Sequence, residues 1–169
     1  MTMSVLSKFK TDLGGYTERE LRYQVAEDVW SVGQMYDHII VVAAEYADEI
    51  ERCLASSEMQ PLGKTEFGER LFQMGGFPPV KIRLPDEMNQ PPNNTDDRAT
   101  LERRIDDLIT RLKRLEPPAR SANPQLKSRH GGFGWLNAEE WYELIEMHTR
   151  HHLRQQEDLE RYLTEAETD

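Results

Sequence analysis

The 169 residues predict a single domain, 1–169, and carry a formal charge of −10, since 31 acidic side chains outnumber 21 basic ones. This acidic balance argues against nucleic acid as a partner, because a phosphate backbone is bound mainly by Lys and Arg. No run approaches the roughly 18 apolar residues of a membrane span and the chain starts without a signal-peptide run, so we expect a cytoplasmic protein with no membrane partner.

Two short helices are predicted at the start of the chain. Apolar residues at helical spacing predict the first of them: Leu6, Phe9 and Leu13. The pair Gly14-Gly15 should end this helix, because glycine commonly follows the last helical residue. Thr17 and Glu20 then match a capping box, in which each side chain accepts a hydrogen bond from the other residue's backbone, and predict a helical turn through Val25.

A second capping box, Ser31 with Gln34, predicts the start of a helix of roughly six or seven turns. Its apolar stripe includes the chain's only cysteine, which we expect to be a core residue and not a reactive thiol: Val32, Met35, Ile39, Val42, Tyr46, Ile50 and Cys53. His38 lies at the edge of this stripe, in line with Gln34 and Glu45. Taken alone, this position is typical of a histidine with a packed stem and a solvated tip.

Residues 56–95 are rich in proline and glycine and form the least regular part of the chain. About forty residues are too many for a tight turn, so the segment should cross a helical bundle or cover one end of it. Several apolar residues allow it to pack: Phe67, Leu71, Phe72, Phe77 and Val80. Two interpretations stay open, a lid over an open metal position and a simple crossover.

Thr95 or Asp96 can cap the next helix, which Pro117-Pro118 should end. Its apolar stripe consists of Leu101, Ile105, Leu108, Ile109, Leu112 and Leu115. A loop follows with a small basic and flexible group: Lys127, Arg129, His130 and Gly131-Gly132. This group could hold a carboxylate or phosphate of a substrate, or it could be a surface loop without function.

Asn137 and Glu140 form a third capping box and predict the start of the last helix. The apolar stripe of this helix is defined by Trp141, Leu144, Ile145, Leu159 and Leu163. His148 and His152 fall at the centre of the stripe, and His151 falls on its flank. Two imidazoles four residues apart on one helical face can chelate one transition-metal ion, with a third ligand from another helix.

Histidines on a helix are also common as surface residues or as core residues with other partners, so a metal is not the only interpretation. Burial favours it, because two buried imidazoles that were both charged would repel each other, whereas a metal ion is a partner for both. If His148 and His152 are ligands, His38 becomes the candidate third ligand. The H-E-x-x-H signature of metallopeptidases is absent, since Thr149, Arg150 and His151 stand between the pair.

Two stretches resemble the DinB-like superfamily, which includes DinB and YfiT-like proteins and thiol-dependent S-transferases. One is Trp30-Ser31-Val32-Gly33-Gln34-Met35-Tyr36-Asp37-His38; the other is Phe133-Gly134-Trp135, followed by Trp141, the H-x-x-H-H run and Gln155. The resemblance implies an all-α four-helix bundle with a long crossover between its second and third helices, often a homodimer. It also implies a divalent metal, zinc or nickel, on one histidine of the second helix and two of the last, which match His38, His148 and His152.

For function, the resemblance implies a metal-dependent enzyme that acts on a small molecule. The ion would activate a water or a low-molecular-weight thiol, such as bacillithiol, mycothiol or glutathione, in a hydrolase or thiol S-transferase. Helical phase selects four residues that could support the ligands: Gln34, Glu45, His151 and Gln155. The alternative is a non-catalytic stress-related or binding protein in which the metal only ties the helices together, and a bundle with leftover histidines is a third possibility.

Overall fold

The computed structural model describes residues 2–78 and 90–168, and these ranges are predominantly helical. The helices are α1 (Thr2–Leu13), α2 (Glu18–Arg22), α3 (Val32–Ala55), α4 (Glu66–Met74), α5 (Arg98–Ser121) and α6 (Ala138–Thr168). Two short strands, β1 (Lys127–His130) and β2 (Gly134–Asn137), form an antiparallel hairpin just before α6. Among the described helices, none combines the length and apolar character needed to span a bilayer.

Four helices, α1, α3, α5 and α6, bury their apolar stripes against one another. Helix α3 packs against α5 and α6, and α1 packs against the same two helices. The buried side chains form one hydrophobic cluster, in which the largest fully buried members include Phe9, Tyr36, Met35 and Tyr142. Cys53 lies in this cluster with 1% of its surface exposed, as expected. The tight packing of α3 on α6 matters most for function, because these two helices carry the three candidate ligands.

The helix starts follow from local sequence, as predicted. Both hydrogen bonds of the capping box are present at Thr17 and at Ser31. At the start of α6, Asn137 and Glu140 exchange the same pair of bonds, at 3.0 and 2.9 Å. Helix α1 ends at Leu13, immediately before Gly14. Helix α3 has 24 residues, which agrees with the six or seven turns expected.

Helix α5 differs from the expectation at both ends. Its cap is Asp97, whose carboxylate accepts the backbone N–H of Thr100 at 2.8 Å, because Asp96 is engaged by Arg104 instead. The prediction that Pro117-Pro118 ends the helix is wrong, since α5 continues to Ser121. A proline fixes φ near the helical value, and the final turn is held by the Ser121 hydroxyl, which donates to the Pro117 carbonyl at 3.1 Å.

The segment predicted as a flexible loop, 127–132, is instead part of the hairpin. Ser128 pairs with Leu136 and His130 pairs with Gly134, and the connection between the strands is three residues long. Gly134 has φ +86°, and a Cβ at this position would lie 2.6 Å from the Thr65 backbone nitrogen. The close approach exists because residues 63–65 bond to the hairpin, with Thr65 N–H donating to the Phe133 carbonyl at 2.9 Å. The hairpin therefore joins the start of the long connection to the start of α6.

Candidate metal site

The packing of α3 on α6 brings three histidines together. Nε2 of His148 lies 3.3 Å from Nε2 of His38 and 3.1 Å from Nε2 of His152. His152 is buried, and the other two are partly buried. The ligand atoms of all three lie within 4.8 Å of one another. The residues that the sequence selected as metal ligands thus form one compact group, which could hold a divalent metal ion.

The spacing of these nitrogens fits a transition-metal ion. Two imidazole nitrogens about 2.0–2.1 Å from one ion, at angles between octahedral and tetrahedral, lie roughly 2.9–3.4 Å apart. Both close separations around His148 fall in this range. Among the residues that the structure describes, no further His, Cys, Asp or Glu joins the group.

Hydrogen bonding among the histidines is incomplete without a cation. Nδ1 of His152 lies 2.7 Å from Oε1 of Gln155, an acceptor, so the ring hydrogen is on Nδ1 and Nε2 carries a lone pair. Nε2 of His148 faces two other ring nitrogens but can donate at most one hydrogen to them. At least one of the two contacts therefore cannot be a hydrogen bond between neutral rings. A cation that accepts all three lone pairs removes this conflict.

Burial keeps these rings neutral. It lowers the pKa of His148 well below its ordinary value, and the neighbouring histidines lower it further. Burial, with a contribution from His38, lowers the pKa of His152 to about 4. Burial also lowers the pKa of His38, against the opposing effect of Asp37. All three imidazoles therefore offer unprotonated nitrogens at neutral pH, the form that binds metals.

Aromatic rings and the end of α4 border the group. The Trp30 ring is 5.0 Å from the His38 ring, and the Phe77 ring is 6.0 Å from that of His148. Arg150 donates to the Gly75 carbonyl at 3.0 Å, which fixes the residues before Phe77 against α6. Part of the connection between α3 and α5 therefore lies beside the histidines. Val80, also expected to pack, lies outside the described residues.

The four residues expected to support the ligands differ in their contacts and in their exposure to solvent. Gln155 contacts His152 directly. The amide of Gln34 accepts from Ser31 and donates to the Pro92 carbonyl, because the capping box takes it away from the histidines. Glu45 is exposed on α3. His151 is partly buried, with its ring 5.7 Å from that of His152, but it is not part of the three-histidine group.

An ion pair next to the site was not predicted. Asp37, adjacent to His38 in sequence, accepts from Arg104 at 2.8 Å and from the Asn93 backbone N–H at 3.0 Å. Arg104 also contacts Asp96 at 2.8 Å. These bonds anchor the segment before α5 to the part of α3 that carries His38. Sequence periodicity could not reveal the contacts of Asp37, since Asn93 and Arg104 are 56 and 67 residues away from it along the chain.

Tyr46 and His130 form a second unpredicted pair. Periodicity placed Tyr46 in the core, and composition placed His130 in a basic loop. In the structure, Tyr46 Oη lies 3.4 Å from His130 Nε2, and the Tyr46 ring is 6.3 Å from the His148 ring. Burial raises the pKa of Tyr46 to about 12 and lowers that of His130. The signal that could have located His130 is strand alternation, which turns it to the opposite face from Arg129.

The other basic residues of the predicted loop lie elsewhere. Lys127 and Arg129 border a surface pocket of about 490 Å³, together with Glu49 and Arg52. None of the three clustered histidines lines this pocket. The basic group is therefore split between two faces of the hairpin.

Comparison with known proteins gives one family. A family model described as DinB superfamily matches residues 5–156, a range that contains all three clustered histidines and Gln155. No curated protein and no solved structure matches the chain. Because the family model covers most of the sequence, the chain belongs to the DinB superfamily.

Proposed function

We propose that this protein binds one divalent transition-metal ion, zinc or nickel, through Nε2 of His38, His148 and His152. The observation that carries the proposal is the convergence of three neutral imidazole nitrogens at ligand spacing, with Gln155 directing the lone pair of His152 toward the other two. We also propose that α1, α3, α5 and α6 are the four-helix bundle of a single domain, with the connection from α3 to α5 as its crossover.

We propose further that the protein is a hydrolase or thiol S-transferase that acts on a small molecule. An ion held by three neutral ligands keeps its full charge, so it would lower the pKa of a water or thiol bound beside the histidines. Trp30 and Phe77 border the ligands and would limit access of bulk water to a bound substrate. Gln155 would hold the hydrogen on Nδ1 of His152 and fix the ring.

The first test is elemental analysis of purified protein after reconstitution with zinc or nickel. We expect about one ion per chain in the wild type and loss of the ion in His38→Ala, His148→Ala and His152→Ala, since each variant leaves two protein ligands where catalytic zinc sites ordinarily have three. His151→Ala is the matched control, because it removes a neighbouring imidazole outside the group and should retain the ion. Retention of a stoichiometric ion in any of the three ligand variants would contradict the assignment.

A second test separates an enzyme site from a metal that only links α3 to α6. Cobalt is substituted for the native ion, and the visible absorption spectrum is recorded as glutathione or another low-molecular-weight thiol is added. A site open to an outside ligand should show a saturable spectral change, because thiolate coordination alters the cobalt bands. A spectrum unaffected by thiols, anions and pH would favour the structural alternative.

A further inference from the structure

A surface pocket of about 490 Å³ lies between the last two turns of α3 and the hairpin, and we call it the basic pocket. Its lining contains three cationic side chains, Arg52, Lys127 and Arg129, and one carboxylate, that of Glu49. This local excess of positive charge is opposite in sign to the chain's net charge of −10. The volume is within the range of roughly 300–1,000 Å³ that is typical of small-molecule sites.

The three cations keep donors that the protein does not use. Arg52 contacts Oε2 of Glu49 through Nε at 3.3 Å, so its two terminal Nη groups can serve another acceptor. Lys127 donates to the Leu62 carbonyl at 2.7 Å, which occupies one of its three ammonium hydrogens. Within residues 2–78 and 90–168, the Arg129 guanidinium makes no hydrogen bond or ion pair. The basic pocket can therefore donate several charged hydrogen bonds to an occupant.

One aromatic ring, that of Trp135, also lines the basic pocket. Trp135 pairs with Arg129 across the hairpin, and side chains directly opposite each other in an antiparallel pair lie on the same face. The Trp135 ring is partly exposed, and its backbone N–H is held by the Gly63 carbonyl at 3.1 Å. The indole thus offers a fixed, flat apolar surface beside the cations.

We infer that the basic pocket binds a small molecule in which a carboxylate or phosphate group is attached to a flat ring. Guanidinium groups bind both anions in a bidentate manner, and the Trp135 indole can stack on the ring. A nucleic acid is a poor occupant, because the net charge of the chain repels a polyanion. None of the three clustered histidines lines the pocket, and strand alternation turns Arg129 away from His130. The inference therefore concerns a second site and does not depend on the proposed metal chemistry.

The inference is tested by NMR titration of isotope-labelled, chelator-treated protein at low ionic strength. Metal is removed because anions also coordinate metal ions, and salt is kept low because it screens exposed charges. The probes are phenyl phosphate and benzoate; phenol is the matched compound without a charge, and inorganic phosphate lacks the ring. We expect saturable shifts of the amides that line the pocket with phenyl phosphate or benzoate, weaker binding of inorganic phosphate and no binding of phenol. The tighter of the two probes identifies the preferred anionic group.

Four variants test the roles of the lining residues. Arg52→Gln and Arg129→Gln should each weaken binding by about fivefold or more, the effect of losing a charged hydrogen bond. Glu49→Gln should tighten it by about two- to fivefold, because it removes the carboxylate that faces the anion. Trp135→Leu should abolish the preference for phenyl phosphate over inorganic phosphate. A change of opposite sign at Glu49 would not result from general damage to the fold.

Arg103→Gln is the control, because it removes one positive charge from an exposed position on α5. Its neighbour Arg104 contacts Asp37, which lies about 22 Å along α3 from Arg52. Arg103→Gln should leave the affinity for both probes unchanged. The inference is overturned if neither probe binds saturably, if phenol or inorganic phosphate binds as tightly, or if Arg52→Gln and Arg129→Gln bind like the wild type. Zinc content is measured in parallel, so that failure of the basic pocket and failure of the metal site are distinguished.

Discussion

Nδ1 of His152 lies 2.7 Å from Oε1 of Gln155, three residues further along α6. This contact orients the imidazole and places its lone pair on Nε2, facing His148. Gln155→Leu removes the acceptor and allows the ring to turn, so we expect zinc affinity to fall by about tenfold or more. Gln155→Glu keeps an acceptor and should bind zinc at least as tightly as the wild type. Competition with a chromogenic chelator measures both constants.

Glu157→Gln is a suitable control for these variants, because Glu157 is exposed on the same helix. It should bind zinc like the wild type. If Gln155→Leu does the same, Gln155 has no part in orienting His152.

The stability of the metal-free protein should decrease as the pH falls from about 7 to 4. His152 has a pKa of about 4 in the folded chain against 6.5 when unfolded, because burial disfavours its charged form. In that interval the unfolded state binds more protons, so protonation favours unfolding, and His152 alone accounts for a loss of roughly 3 kcal/mol. Urea denaturation in the presence of a chelator, repeated at several pH values, measures the slope.

His152→Gln should flatten this pH dependence, since it leaves one fewer histidine to take up a proton on unfolding. Zinc should raise the midpoint of unfolding at both pH 7 and pH 5, because burial keeps the ligands of the folded state largely unprotonated at both values, and the effect should decrease as the pH approaches 4 and His152 takes up a proton. A metal-free protein equally stable at pH 7 and pH 4.5 would show that the imidazoles are not buried as described.

Arg104 should stabilise the fold through its two carboxylate partners. Its guanidinium contacts Asp37 and Asp96, each at 2.8 Å, and the Asp37 side chain is only 11% exposed. Arg104→Met would leave Asp37 largely buried without its cation, at a cost of about 2 kcal/mol. Arg103→Met is the control, because Arg103 is exposed on α5, and it should change stability by less than about 0.5 kcal/mol. Equal stability of the two variants, measured by chemical denaturation, would show that the ion pair contributes nothing.

Gly134 should tolerate no side chain. Its φ of +86° is unfavourable for alanine, and the added Cβ would meet the backbone nitrogen of Thr65 at 2.6 Å. We therefore expect Gly134→Ala to lower the free energy of unfolding by about 3 kcal/mol, from backbone strain and from displacement of residues 63–65. At Gly131 a Cβ would meet nothing within 4 Å, so Gly131→Ala should be nearly neutral. Thermal unfolding of the two variants tests the difference, and a Gly134→Ala protein as stable as the wild type would refute it.

The parts of the fold that depend on local sequence could be predicted. Capping boxes at Thr17, Ser31 and Asn137 involve residues only three positions apart, so the pattern contains both partners. The grouping of His148 with His152 follows from helical periodicity in the same way. The assignment of His38 to the same group depended on the resemblance to a known family. Periodicity predicts which face of its own helix a residue lies on, but it does not predict which other helix packs against that face.

The parts that depend on distant contacts could not be predicted. The hairpin is stabilised by residues 63–65 as well as by its own pairing, and four-residue strands have weak signals of their own. Gln34 had the correct helical phase for a neighbour of His38, but the Pro92 carbonyl and Ser31 compete for its amide. Such competition between polar partners is decided by three-dimensional packing, which a one-dimensional pattern does not contain.

Strand β2 continues directly into α6, and this limits where residues can be inserted into the chain or deleted from it. Trp135, Trp141, His148 and His152 lie on one continuous piece of backbone, with no loop between the hairpin and the ligands. One residue inserted after Asn137 would turn every later side chain of the helix by about 100° relative to the hairpin. His130 and Phe133 on the hairpin would then face away from the histidines of α6. Natural variants of this fold should therefore keep the sequence separation between the hairpin and His148 constant, while lengthening the chain elsewhere.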